Sequence, residues 1–186
     1  MIALSAALLL FTPAAKAQTP LAPGEIARVD DQPILKTEYD HWMEIARRSP
    51  SSGDEETRGK QIVQVLISFR WLEGEAARQG VVVSPGAVTT VYRRQRRESF
   101  PKDADFQRFL RRSGQTVADV KLRVRTDLLA DRLRAHAVRG AKTPRGQQKR
   151  VDRFVKRFTA RWKARTICVE GYVSEWECGT VVPPPA

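Results

Sequence analysis

Only two histidines and two cysteines occur among the 186 residues. A metal centre needs three or four converging ligands. His41 and His136 stand alone, with no cysteine or carboxylate spacing to support them, so no metal and no cofactor is expected. Cys168 and Cys178 fit neither a CxxC motif nor a zinc-ligand spacing. A catalytic Cys–His pair would need a reduced thiolate beside a base, and nothing in the chain order sets one up. The G-x-S-x-G elbow, the G-x-G-x-x-G loop and the P-loop are all absent. These absences together leave no catalytic constellation and make a binding role the expectation.

Negative charge is also scarce. Lys and Arg number 33 against 21 Asp and Glu, a net charge of +12 and a pI near 10.4. Such a surface attracts anions, including nucleic acid, anionic lipid and acidic polypeptide segments. The basic residues are mainly arginines spread from Arg47 to Arg165 with acidic residues between them, a pattern unlike a disordered basic arm. With 41% apolar and 29% charged residues, the chain can build a real core and reads as one globular domain with short appendages.

Long hydrophobic runs are lacking too. Ile2 to Phe11 is apolar but falls short of the about 20 residues that span a bilayer. Pro13 and the small-x-small sequence Ala15-Lys16-Ala17 follow it, so residues 1–17 read as an export signal with the processed chain starting at Gln18. No Lys or Arg precedes the run, which departs from the usual signal pattern. In an exported protein a Cys168–Cys178 disulfide is the natural reading.

The remaining sequence is punctuated for helices. Residues 18–24 form a flexible lead-in. Ile26–Val29 and Gln32–Leu35 read as two extended pieces around an Asp30-Asp31 turn. Thr37 and Asp40 resemble a capping box for a first helix from about Glu38 to Arg48. After a Ser/Pro/Gly loop, Ile62, Val65, Leu66, Phe69, Leu72 and Ala76 recur at helical spacing, with Gly80 as the stop. Ser84-Pro85 opens a third helix. Asp103 or Asp105 starts a short one ended by Gly114, and Thr116 with Asp119 caps a long one to about Val138. The Gly140–Gly146 break precedes a last helix from about Gln147 to Arg165. The tail reads as a short hairpin that a disulfide would close.

Two sets of side chains stand out as candidate binding groups. Trp42, Met43, Phe69, Tyr92, Phe100, Phe106 and Phe109 are large apolar groups on short helices. Most serve the core, yet such a set can leave one concave surface open to extended or helical peptides. Arg93, Arg94, Arg96 and Arg97 lie opposite the apolar stripe of the third helix and are assigned to the groove's basic rim. They could also grip phosphates, but an exported chain does not meet the genome and no RNA-reading aromatic motif is present.

The order of these pieces resembles a known family. Ala27-Arg28-Val29-Asp30-Asp31-Gln32-Pro33-Ile34-Leu35-Lys36-Thr37-Glu38-Tyr39-Asp40 is similar to the V-N-G-x-P-I opening of SurA-like and PrsA-like foldases. The Ile62–Ala77 helix, Gln79 to Ser84, Ser99-Phe100-Pro101, Phe106–Leu110 and Gly114–Asp131 follow in the family's order. The last helix, through Trp162-Lys163-Ala164-Arg165-Thr166, and the cysteine-bearing tail resemble the C-terminal segment of one branch. The resemblance implies a mainly α-helical exported chaperone domain whose last helix packs back onto the first ones. In full-length relatives a parvulin peptidyl-prolyl isomerase domain sits between the long helix and the last helix. Here only about 140–146 fill that slot, and the parvulin catalytic residues have no counterpart.

The expected organisation is therefore a signal at 1–17, a lead-in at 18–24, a chaperone domain at 25–166, and a C-terminal hairpin with a disordered tail at 167–186. The expected function is passive holding of unfolded or nascent exported polypeptides in an arginine-rimmed apolar groove. The protein would act outside the cytoplasm: secreted, periplasmic or envelope-associated. Peptidyl-prolyl isomerase activity and a basic module for envelope surfaces or nucleic acid are the alternative readings. A membrane surface is a further partner class. Oligomeric state and client identity are not set by the sequence.

Overall fold

The computed structural model describes residues 20–49, 53–174 and 176–185. The candidate signal at 1–17 and the first two residues of the lead-in lie outside the described residues.

The chain enters through β1 (Glu25–Val29) and β2 (Gln32–Leu35), an antiparallel hairpin with Val29 opposite Gln32 and Ala27 opposite Ile34. Asp30 makes the turn at φ 56°, a left-handed conformation that Asp tolerates better than β-branched residues do. β2 is an edge strand, which is where Pro33 can sit without removing a ladder hydrogen bond.

Helix α1 (Lys36–Arg47) leaves β2 directly. The expected Thr37/Asp40 cap does not form. The helix begins with Leu35 at its N-cap and no side-chain cap, because the Lys36 amide is already anchored on the Gly24 carbonyl at 2.8 Å. Thr37 is thereby drawn inside the helix, and Asp40 pairs with Lys36 instead.

Helix α2 (Glu55–Arg78) is the central element. It begins a full turn and more before Ile62, since the Asp54 carboxylate accepts the Thr57 amide at 2.8 Å and Glu55 and Glu56 complement the helix dipole. Helix α3 (Pro85–Ser99) is capped by Ser84 with proline in its first turn, and α4 (Asp103–Ser113) stops at Gly114 with φ 72°. Thr116 and Asp119 form a reciprocal capping box for α5 (Val117–Val138). Helix α6 (Pro144–Lys163) starts three residues before the expected Gln147, because Thr143 caps it through the Gly146 amide at 3.1 Å. Residues 139–143 are the whole connection between α5 and α6, too few to hold an inserted domain.

The C-terminal segment corrects the expected hairpin. β3 (Thr166–Val169) pairs antiparallel with β1, and β4 (Thr180–Val182) runs parallel to β3. The sheet order is β2-β1-β3-β4. Instead of folding back antiparallel beside β3, β4 runs in the same direction as β3. The Cys168–Cys178 disulfide ties the intervening chain to β3 across a separation of 10 residues.

Two larger packed clusters and a small third one on the far side of the sheet result. Ile26, Val29, Ile34, Trp42, Leu66, Ile67, Trp71, Trp162 and Cys168 join the sheet to α1, α2 and α6. Ala76, Val83, Val88, Val124, Leu129 and Leu133 join the end of α2 to α3 and α5. All four residues of β3 are buried, because Leu21 and Val182 cover the side of the sheet away from the helices. The last helix does return to the first ones: Trp162 donates to Glu75 of α2 at 2.9 Å, and Trp71 donates to Thr166 at 2.8 Å.

Candidate functional site

A cleft of about 790 Å³ opens between α1, the start of α2, and α4. Its apolar wall is Trp42, Ile45 and Ala46 from α1, Ile62 from α2, and Phe100 and Phe109 from the α3–α4 junction and α4. These residues converge because α1 and α2 pack along the sheet while the Phe100-Pro101 break swings α4 back toward them. Trp42 is the floor. Its ring stands edge-on to Phe69 beneath it, centroids 6.0 Å apart, and the Arg123 guanidinium lies 5.8 Å above its centroid.

Helix α4 is carried by its aromatic face. Phe106 is buried, with Tyr92 at 6.2 Å, Phe100 at 5.5 Å and Phe109 at 6.4 Å between centroids. Phe100 and Phe109, 5.1 Å apart, are only half-buried. They separate the main cleft from a smaller cavity of about 350 Å³ lined by Tyr92, Arg96 and Phe106. The Arg48 guanidinium reaches from the end of α1 to the Arg111 carbonyl at 3.4 Å, a direct tie across the mouth.

The sequence-derived candidates thus divide. Trp42, Phe100 and Phe109 line the cleft; Tyr92 and Phe106 lie behind it, around the smaller cavity. Met43 and Phe69 are buried, and neither lines the cleft. The four arginines of α3 do not border the main cleft. Arg93, Arg94 and Arg97 are exposed on the helix, while Arg96 pairs with Asp103 and lies 5.6 Å from the Phe106 centroid. The cleft's basic border is Arg48, Arg108, Arg112 and Arg123. Arg111-Arg112 before Gly114, and Arg123 between the apolar positions Val120 and Val124, were the available signals for it.

The histidines do not meet. His41 bonds Asp119 at 3.0 Å, and His136 lies 17 positions further along the same helix, about 25 Å away at 1.5 Å per residue. Burial pushes the Asp119 carboxyl up. The Thr116 amide and hydroxyl, together with His41, outweigh that and hold it below the usual range. Asp119 therefore fastens α1 to the start of α5. Among the described residues no cluster of three or more His, Cys, Asp or Glu could hold a metal, and no helix is long and apolar enough to cross a membrane.

Fold and site together define a class: a mainly helical domain on a small sheet, closed by a disulfide, with an open aromatic cleft bordered by arginines. A family model described as the SurA-like N-terminal domain matches residues 1–134, and the chain belongs to that family. The match ends within α5, so α6, β3 and β4 lie beyond it. Neither the curated proteins nor the solved structures give a match.

Proposed function

We propose that the protein is an exported chaperone-like factor that holds unfolded or extended polypeptides in the cleft between α1, α2 and α4. The observation that carries this reading is the cleft itself. Its wall presents the half-buried Ile62, Phe100 and Phe109 with no covering element among the described residues, while its border carries four arginines against Asp105. An open apolar trough takes side chains of many sequences, and the surrounding arginines draw in acidic segments over longer range. The family supports the chaperone role. The buried Cys168–Cys178 disulfide supports an oxidising compartment, and with it an export signal at 1–17; the chaperone domain would then begin at about residue 25, with β1. Holding of this kind needs no nucleotide.

The test is suppression of aggregation of a chemically denatured client. The protein should lower light scattering at near-stoichiometric ratios. Phe109→Glu, which puts a charge on the half-buried wall, should abolish the effect while circular dichroism stays unchanged. Full protection by a folded Phe109→Glu variant would refute the assignment of the cleft. A proline-peptide isomerisation assay on the same preparation should give the uncatalysed rate, and acceleration would move the protein to the enzyme reading.

A further inference from the structure

A second cleft, of about 550 Å³, opens on another part of the molecule, between the ends of α2 and α5 and the length of α6. Arg150, Arg153, Arg157 and Arg161 follow one another at i, i+3, i+7 and i+11 on α6 and all line it; Arg78 faces them from α2. Stacked Phe154 and Phe158, centroids 5.7 Å apart, form its apolar wall.

Glu75 is the one carboxylate among the lining residues, and it is already used. It accepts hydrogen bonds from Arg78 at 2.7 Å, Arg161 at 3.1 Å, Trp162 at 2.9 Å, and the Gln79 amide. The Gln79 carbonyl is taken in turn by His136 at 2.6 Å, and Arg150 is turned to the Arg139 carbonyl. Arg153 and Arg157 have no partner among the described residues. Five guanidiniums against one carboxylate leave the cleft with a net +4.

The chemistry of the lining selects the ligand. Guanidinium groups only donate, and the carboxylate and amide oxygens in this cleft are occupied, which leaves the second ring nitrogen of His136 as its one open side-chain acceptor. A peptide entering it would bring more amide N–H groups than that one nitrogen can receive, a cost of about 1–3 kcal/mol for each one buried unpaired. A phosphoryl group brings acceptors alone, several charges in a small volume, and oxygen spacing that matches the guanidinium fork. We propose that this cleft binds a compact, multiply charged phosphoryl anion, either a phosphate monoester on a lipid headgroup or a free condensed phosphate, with Arg153 and Arg157 as its principal ligands.

Calorimetric titration of the purified protein with sodium tripolyphosphate tests this. One-to-one binding that weakens with salt is expected. Arg153→Glu/Arg157→Glu should reduce the association constant at least tenfold, and the milder Arg153→Gln/Arg157→Gln should reduce it severalfold. Arg93→Glu/Arg94→Glu, an equal charge change on exposed α3, should leave it within twofold. Equal losses in the two charge-reversed variants, no binding by the parent protein, or equally tight binding of a hexaglutamate peptide would each overturn the proposal. Vesicles containing phosphatidic acid identify the source. Binding that depends on Arg153 and Arg157 points to a lipid headgroup, and binding of tripolyphosphate without vesicle binding points to free phosphate. Client protection should survive in the Arg153/Arg157 variants, so this proposal and the holding function fail separately.

Discussion

Glu75→Gln removes one charge from the joint between α2 and the C-terminal segment and should cost far more than an ordinary surface ion pair. The carboxylate is 1% exposed. Burial alone would raise its pKa, but hydrogen bonds from Arg78, Gln79 and Trp162, with the Arg78 charge, outweigh burial and lower it to about 2. The drop of about 2.5 units from 4.5 corresponds to an upper bound of roughly 3 kcal/mol. Arg78 and Arg161 are partly solvated, with side chains 44% and 30% exposed, so part of the loss is recovered when they turn to water. Glutamine keeps one acceptor for Trp162 but presents an NH2 group to three other donors. The expected cost at pH 7 is about 2–3 kcal/mol, a fall in Tm of roughly 4–10 °C for a chain of this size.

The pH dependence separates this account from simple packing damage. A carboxyl whose folded pKa is depressed stabilises fully above its unfolded value near 4.5, and the contribution is lost as pH falls toward about 2. The gap between parent and Glu75→Gln in urea unfolding should therefore be constant from pH 7 to 5, shrink by about half near pH 3, and close further at pH 2. Other carboxylates titrate in both proteins and cancel in the difference. A gap below about 0.5 kcal/mol at pH 7, or one unchanged at pH 3, would refute the reasoning.

Three further outcomes follow from the same geometry. Gly74→Ala improves helix propensity, but a Cβ there would penetrate the Trp162 ring, so thermal melting should show a net loss of about 1–3 kcal/mol. Reducing Cys168–Cys178, or changing both residues to Ser, should cost roughly 2–3 kcal/mol by the loop-entropy argument for a loop of this length, measured by urea unfolding with and without reductant. Arg112→Glu/Arg123→Glu reverses two charges at the cleft border, so it should slow client capture and flatten the salt dependence of capture, while stability falls only by the lost Arg123–Trp42 contact, about 0.5–1 kcal/mol. Stopped-flow association at several salt concentrations checks this.

The helical frame was legible because its boundaries are set by local chemistry. Ser84-Pro85, Gly114 and the Thr116/Asp119 box act within one turn of chain, and each appears where the sequence places it. What was not legible depends on distant partners. Thr37/Asp40 looks like a cap, but the Gly24 carbonyl takes the Lys36 amide and starts the helix early. Glu75 interrupts an apolar stripe and carries no local mark of burial; its four donors come from two positions nearby and two on α6. The tail's short apolar pieces separated by Gly171 suggest a hairpin, yet β3 finds β1, some 140 residues back, and β4 lies parallel beyond it. The aromatic set was visible as a set. Its division between core and cleft was not, because α4 is placed by tertiary contact of Phe106 with Tyr92 on α3 and by the Arg48 tie from α1 to the Arg111 carbonyl.

The residues beyond the family match also explain why one cleft can stay open. Residues 1–134 contain β1, β2 and α1 to α4 with most of α5. Alone they would leave β1 in a two-stranded ribbon, which is marginal in water, and Glu75 without Arg161 or Trp162. The return segment supplies what is lacking: β3 pairs the free edge of β1, Thr166 takes the Trp71 indole N–H, and Trp162 seals against Gly74. All of these contacts fall on the sheet and the C-terminal half of α2. The cleft wall is built from Trp42, Ile45, Ile62 and Phe109 around the N-terminal half of α2, and no part of the return segment covers it. The C-terminal residues also reach the N-terminal half of α2, where Glu177 accepts from Gln64, and α1, where Tyr172 stands edge-on to Tyr39, but none of them lines the cleft, so among the described residues its apolar wall stays uncovered.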